Sequence, residues 1–290
     1  MAKDLIIGGA SGYTWDQLKY WVNSIKSTGF KGDIVVCASN INQQTIEKLN
    51  EEGVKLAIFG RQEGDRFVDD QGAPHVKRLF YIWSFLAQTQ ENYRFVVTTD
   101  TRDVVFQSDP SSFLDKKLLT STLICSSEGL LYKDEPWGDN NLKEALGPYF
   151  ANIYRENMIY NVGTIAGFKE DVRDLMLMIF QLSINRPVPI VDQAMFNFLI
   201  NQIPYDDNIL RANNQTGWAI QLGTTRKAVE AGFGDLGAKG DLVAYDAVYK
   251  DVQPVIDKDT VLTPAKEKYC IVHQWDRVPG LKEEVMKRYG

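Results

Sequence analysis

Asp100, Thr101, Arg102 and Asp103 follow directly on the apolar, β-branched run at residues 95–99, and a second apolar run at 104–106 follows them. Runs of this kind form strands buried on both faces of a parallel sheet. The end of such a strand opens on the crevice where α/β sheets bind their ligands. Two carboxylates at that position suit a hard divalent cation, which takes oxygen ligands. The same residues also fit a plainer arrangement, in which Arg102 neutralises one acid and the group caps the strand. His273, one of only two histidines in the chain, ends a late apolar run at 269–272. With Asp100 and Asp103 it makes a set of two carboxylates and one imidazole, suited to Mn²⁺ and tolerant of Mg²⁺. Taken alone it also reads as a hydrogen-bonded structural residue. His75 opens a helix and carries no assigned role.

The elements that must position these groups alternate at a regular pace. Residues 5–7 read as a strand entering the glycine loop Gly8, Gly9, Ala10, Ser11, Gly12. Thr14 and Gln17 form a capping box for a helix with Trp15, Leu18, Val22 and Ile25 as its apolar stripe, ended by Gly29. Strands at 33–38 and 54–59 enclose a helix capped by Asn42. This alternation means right-handed βαβ units and a parallel sheet. Residues 60–74 read as a polar loop. A helix from about His75 to Gln90 buries Val76, Leu79, Phe80, Trp83 and Ala87, leaving Lys77 and Arg78 off that stripe.

Beyond the acidic strand, Asp109 and Pro110 form an N-cap and first-turn proline. Residues 122–128 make a strand that ends in Glu128. Residues 129–157 are mixed and aromatic, with Trp137, Tyr149, Phe150 and Tyr154, and suit an excursion lining a site. The strand at 160–167 carries Asn161 and Gly163, which permit close backbone approach. Val172, Leu175, Ile179 and Leu182 define a further helix. Asp192 and Gln193 open another, packed through Met195, Phe198 and Leu199. Asp192 reads equally as an N-cap and as a functional acid. Residues 206–245 are loop-rich, with a strand at 218–222. The expected architecture is one α/β domain over residues 1–290, a mostly parallel sheet flanked by helices in a Rossmann-like arrangement, with an elaborated C-terminal half.

A chain of 290 residues buries roughly three quarters of its unfolded surface. Its net charge of -6 supplies no basic stripe to displace counterions from phosphate, which excludes a non-specific nucleic-acid binder. No apolar run reaches the ~18 residues needed to cross a bilayer. Asp4 stands where a secretory signal would be apolar, so no signal peptide is expected. Cys37, Cys125 and Cys270 lie in strand-like runs without zinc spacing, which implies buried thiols and a reducing cytoplasm. The loop Gly9, Ala10, Ser11, Gly12 lacks the third glycine of a dinucleotide fingerprint, Trp15 standing in its place. Gly232, Gly234 and Gly237 match G-x-G-x-x-G literally, but no strand precedes them and the stretch reads as a flexible loop. A Walker loop is absent.

The order of these signals resembles the nucleotide-sugar glycosyltransferases of the GT-A fold. Residues 100–110 resemble the D-x-R-D…FQ-x-DP block of a sparsely characterised branch of that superfamily, and residues 272–277 resemble its C-terminal HQ-x-DR block. Where the usual D-x-D motif has one intervening residue, Asp100 and Asp103 have two. The resemblance implies a GT-A-type domain whose residues 1–110 bind nucleotide and whose residues 111–290 bind sugar and acceptor. It implies a metal-dependent transfer from a nucleoside-diphosphate sugar, the nucleotide being UDP, to a glycan acceptor. It further implies Asp103 as a direct ligand of Mn²⁺ or Mg²⁺, Asp100 as shared between metal and ribose, and His273 as the third ligand. Gly8, Gly9, Ala10 and Tyr13 would hold the base, Lys77 or Arg78 would add a cation, and Thr101 and Arg102 would complete the nucleotide contacts. Asn161, Gly163 and Gln193 would approach the donor sugar. Asp192, which would bind the donor sugar's hydroxyls or act as general base on the acceptor, and Glu128, a second base, are the candidate catalytic residues; Trp137, Tyr154 and Trp218 are candidate aromatic platforms for an acceptor, core packing being the commoner use of each. The alternative is a sugar-phosphate nucleotidyltransferase, which normally carries a basic glycine-rich loop after the first strand, whereas residues 8–13 contain no lysine or arginine.

Overall fold

A computed structural model describes residues 2–69 and 72–290. The main sheet has seven strands: β1 (Lys3–Ser11), β2 (Asp33–Ser39), β3 (Lys55–Ile58), β4 (Tyr93–Thr99), β6 (Leu123–Leu131), β7 (Met158–Phe168) and β8 (Ile209–Ala212). A second, three-stranded sheet is built from β5 (Val104–Phe106), β9 (Ala219–Gln221) and β10 (Ile271–His273). The order of the main sheet is β8-β6-β7-β4-β1-β2-β3. β4, β1, β2 and β3 are parallel neighbours, and β8 is parallel to β6. Only β7 runs against its neighbours, antiparallel to both β4 and β6.

The helices follow from local signals. In α1 (Trp15–Ser27) Gln17 reaches back to the Thr14 N–H at 3.1 Å, and Leu18, Trp21, Val22 and Ile25 are buried. Asn42 caps α2 (Gln43–Glu51) by accepting from the Thr45 N–H at 2.9 Å, and Asp109 caps α4 (Pro110–Lys117). α3 (Pro74–Gln88) is interior on two sides, packed on the sheet and on α6 (Lys169–Ser183). Its buried face therefore includes Tyr81, Ile82 and Leu86, whereas Ala87, expected inside, is exposed. Apolar side chains fill both faces of the main sheet, Leu5 and Ile7 facing one core and Ile6 and Val36 the other. The buried sheet faces explain the uninterrupted apolar runs in the parallel strands.

Several expectations are corrected. Residues 60–74 are not simply a loop: Arg61–Glu63 and Arg66–Val68 pair antiparallel, and the latter pairs with Ile41–Asn42. Residues 70 and 71 of that stretch lie outside the described residues. Residues 129–157 are mostly helical, forming α5 (Pro136–Tyr154), kinked where Gly147 adopts a φ of 79°. β6 runs through Glu128 to Leu131 instead of ending at the acid. Gly234–Ala238 forms a short helix, not a flexible loop. Cys37, Cys125 and Cys270 are buried free thiols. Among the described residues no helix is long and apolar enough to cross a membrane.

Candidate functional site

Strand pairing brings residue 273 to residues 100–103. β4 ends at Thr99, the chain turns through Asp100–Asp103, and β5 leaves the main sheet to pair antiparallel with β10, His273 opposite Val104. The N–H of Gln274, in a left-handed conformation at φ 60°, donates to the Asp103 carbonyl at 2.6 Å and fixes the junction. His273 Nε2 lies 3.4 Å from Asp100 Oδ2 and 3.6 Å from Asp103 Oδ1. One ligand atom from each residue lies within 4.8 Å of the others. Neighbouring donors of a small octahedral cation stand about 3 Å apart, so these side chains would draw together to hold one. The donor set, two hard oxygens and one imidazole nitrogen, fits Mn²⁺ or Mg²⁺.

The third wall of the cluster is Gly163. β7 loses its regular register against β6 between Asn161 and Ala166, a bulge of the sort that re-aims groups beside active sites. The bulged strand still donors-and-accepts across to the acidic turn: the Asp100 N–H donates to the Gly163 carbonyl at 3.0 Å. A Cβ on Gly163 would stand 2.5 Å from Asp100 Oδ2 and 3.0 Å from His273 Cε1.

These groups lie at the floor of a cleft of about 750 Å³ between the sheet's carboxyl edge and the C-terminal segments. Charge in the cleft is balanced in pairs. Arg78, near the start of α3, forms ion pairs with Asp100 and, at 3.0 Å, with Asp192. Arg102 pairs with Asp103 at 3.4 Å. Burial alone would raise the Asp103 carboxyl, but His273, Arg102 and Arg277 outweigh it and hold it well below the usual carboxylate range. Both arrangements open at the sequence level, the salt link and the convergent ligand set, therefore coexist in the same residues.

Asp192 is the first residue of α7 (Asp192–Leu199); the N-cap is Val191, so its carboxylate is directed to Arg78 and not to capping. Glu128 accepts from Asn161 Nδ2 at 2.7 Å and from Gln193 Nε2 at 3.1 Å, and all three line the cleft. Gly9, Ala10, Tyr13, Thr101 and Arg102 also line it, and Thr101 Oγ1 donates to the Gly9 carbonyl at 3.0 Å. Gly8 lies beneath that surface, where a Cβ would meet Thr101 and the Thr99 carbonyl. Lys77, beside Arg78 in sequence, turns away from the cleft to pair with Asp69. Of the three aromatic candidates Trp137 stands exposed on the cleft rim, Tyr154 packs edge-on against Phe198, and Trp218 is wholly buried in the core.

Five residues to which the sequence assigned no role also face the cleft: His75, Tyr81, Glu135, Asp235 and Arg277. Burial lifts Glu135 to about 7; the Gly138 N–H it accepts from opposes the rise, while the Glu128 and Asp235 charges add to it. Arg277 had a usable signal, standing four residues beyond His273 on the same strand exit. Glu135 had none, since its role as the α5 N-cap is a structural motif like any other.

No protein-family model and no curated protein matches the sequence. Solved structures do. The bifunctional glycosyltransferase WbbM in its apo form superposes with a TM-score of 0.57 at 13% identity, over 100% of this chain and 50% of that one. Apo GlyE, a glycosyltransferase of Streptococcus pneumoniae TIGR4, gives 0.51 at 15% identity, over 94% of this chain and 55% of that one. The galactosyltransferase LgtC, solved with donor and acceptor sugar analogs, gives 0.55 at 13% identity, over 98% and 96%. The chain thus spans about half the length of the first two and nearly all of the third. With six of seven strands running one way, helices on both sheet faces and these neighbours, the chain has the GT-A-type glycosyltransferase fold.

Proposed function

We propose that this chain is a glycosyltransferase that moves a sugar from a nucleoside-diphosphate donor, read as UDP-linked, to a glycan acceptor with the help of Mn²⁺ or Mg²⁺. The observation that carries this reading is the convergence of Asp100, Asp103 and His273, 173 residues apart at their extremes (273 − 100), on the floor of one cleft in a fold used by glycosyltransferases. Asp103 and the Nε2 atom of His273 would hold the cation, and Asp100 would be shared between cation and ribose. A bound cation there neutralises charge that develops on the β-phosphate as the bond to the sugar breaks, without proton transfer.

The chain's own side chains supply the rest. Gly9, Ala10 and Tyr13 on the β1 loop bind the base, with Thr101 and Arg102 at the ribose and Arg277 as a further cation for the pyrophosphate. Arg78, Asp192, Gln193 and Asn161 orient the donor sugar. Glu128, held by two amide donors, is the acid best oriented to take a proton from an acceptor hydroxyl. Trp137 on the rim offers a stacking face. In this reading residues 1–110 are the nucleotide half and 111–290 the sugar and acceptor half, with the metal cluster on their seam. The buried free thiols fit a reducing, cytoplasmic setting. The nucleotidyltransferase alternative draws no support, because residues 8–13 offer no cation to a triphosphate.

The test is nucleotide release from a panel of nucleotide sugars with and without Mn²⁺. The reading expects Mn²⁺-stimulated release of nucleoside diphosphate that a chelator abolishes. Pyrophosphate formation from a sugar phosphate and a nucleoside triphosphate, with no donor turnover, would overturn it.

A further inference from the structure

Gln221 is buried at the end of β9, one strand across from His273, in a position where the core has no obvious need of an amide. Its Nε2 group donates to Ser126 Oγ at 2.7 Å on β6 and to Thr164 Oγ1 at 2.8 Å on β7. Those two hydroxyls are themselves 3.1 Å apart. With both amide hydrogens committed to hydroxyls of the main sheet, the amide oxygen is the atom left for the second sheet. It stands 2.6 Å from His273 Nδ1. With the amide in this orientation its oxygen accepts from a hydrogen on Nδ1, and in a neutral imidazole this leaves the lone pair on Nε2. Nε2 is the atom that faces Asp100 and Asp103.

We infer that Gln221 is a positioning residue that locks His273 in its Nδ1–H tautomer and so presents Nε2 as the ligand atom of the cluster. This rests on the metal reading proposed above and goes beyond it, since Gln221 touches neither the cation nor any substrate. The two sheets meet at this point, and the amide is the link that transmits the rigidity of β6 and β7 to a ligand carried by a three-residue strand. Partners of this kind typically change metal affinity 10–100-fold when removed.

The experiment uses the full chain, with Mn²⁺ alone as the probe. Mn²⁺ binding followed by electron paramagnetic resonance compares the parent with Gln221→Leu and Gln221→Glu. Leucine removes the acceptor, and affinity falls 10–100-fold. Glutamate restores an acceptor to the Nδ1–H, and affinity returns to within a fewfold of the parent, which a purely structural role for the amide does not predict. In parallel, ¹⁵N-histidine labelling of the metal-free parent reads the tautomer directly. The chain has two histidines, and His75→Gln assigns the signals. The inference expects the neutral His273 ring to be protonated on Nδ1, and this readout stands even if Gln221→Leu fails to fold. A leucine variant that binds Mn²⁺ within about twofold of the parent, or a parent ring protonated on Nε2, overturns the inference and leaves the metal reading intact. A parent that binds no Mn²⁺ overturns both.

Discussion

Gly163 and Asp100 are held together twice: the Asp100 N–H donates to the Gly163 carbonyl at 3.0 Å, and the missing Gly163 side chain leaves the space that Asp100 Oδ2 occupies. A methyl group there would come within 2.5 Å of the carboxylate and 3.0 Å of the His273 ring. The bulge in β7 thus delivers backbone, not side chain, to the cluster.

Gly163→Ala follows as the first prediction. The methyl must push Asp100 and His273 apart, so Mn²⁺ affinity is expected to fall at least about tenfold. Crowding a packed site costs roughly 1–3 kcal/mol of stability, a loss that denaturant titration resolves. A variant that binds Mn²⁺ like the parent would show that the carboxylate does not depend on this space.

Trp137 and Trp218 separate an exposed platform from a core residue. Trp218→Ala is expected to cost about 3–5 kcal/mol of stability, because it empties a fully buried site. Trp137→Ala is expected to leave stability within about 0.5 kcal/mol and raise the acceptor KM up to about tenfold. Thermal denaturation and acceptor titration check both. Equal losses of stability would mean that Trp137 is structural as well.

The Glu135 carboxyl sets a pH dependence of stability. Its folded value of about 7 lies above the ordinary glutamate value of 4.5, burial being the leading cause. Between those limits the unfolded chain has released its proton and the folded chain has not. Stability therefore falls as pH rises from about 4.5 to about 7 and is flat above, by an amount on the order of 3 kcal/mol. Glu135→Gln removes the dependence and keeps an oxygen to accept from the Gly138 N–H. Unfolding titrations of both proteins at pH 5, 6, 7 and 8 measure the difference; parallel curves would contradict it.

Much of this was legible in residue types. The strand and helix alternation of residues 5–106 specified parallel βαβ units, and an acid pair at a strand end marked Asp100 and Asp103 as candidate ligands. His273 was legible as a candidate ligand, but not its register opposite Val104, since short strands carry no pairing signal of their own. The reversal of β7 was hidden because a strand buried on both faces reads the same in either direction. α5 was missed because Gly147 and Pro148 break its apolar stripe at the kink. Trp218 took the commoner of the two uses open to an aromatic residue, the core, and only burial separates that use from a sugar platform.

Calorimetric titration of UDP into the protein, with Mn²⁺ and then with excess chelator, measures how far nucleotide binding depends on the cation. In the proposed function a cation held by Asp100, Asp103 and His273 is what lets this acidic chain hold a diphosphate, so that proposal predicts binding with Mn²⁺ and at least tenfold weaker binding after chelation or in Asp103→Asn. Equal affinity with Mn²⁺, with chelator and in the variant would contradict the account.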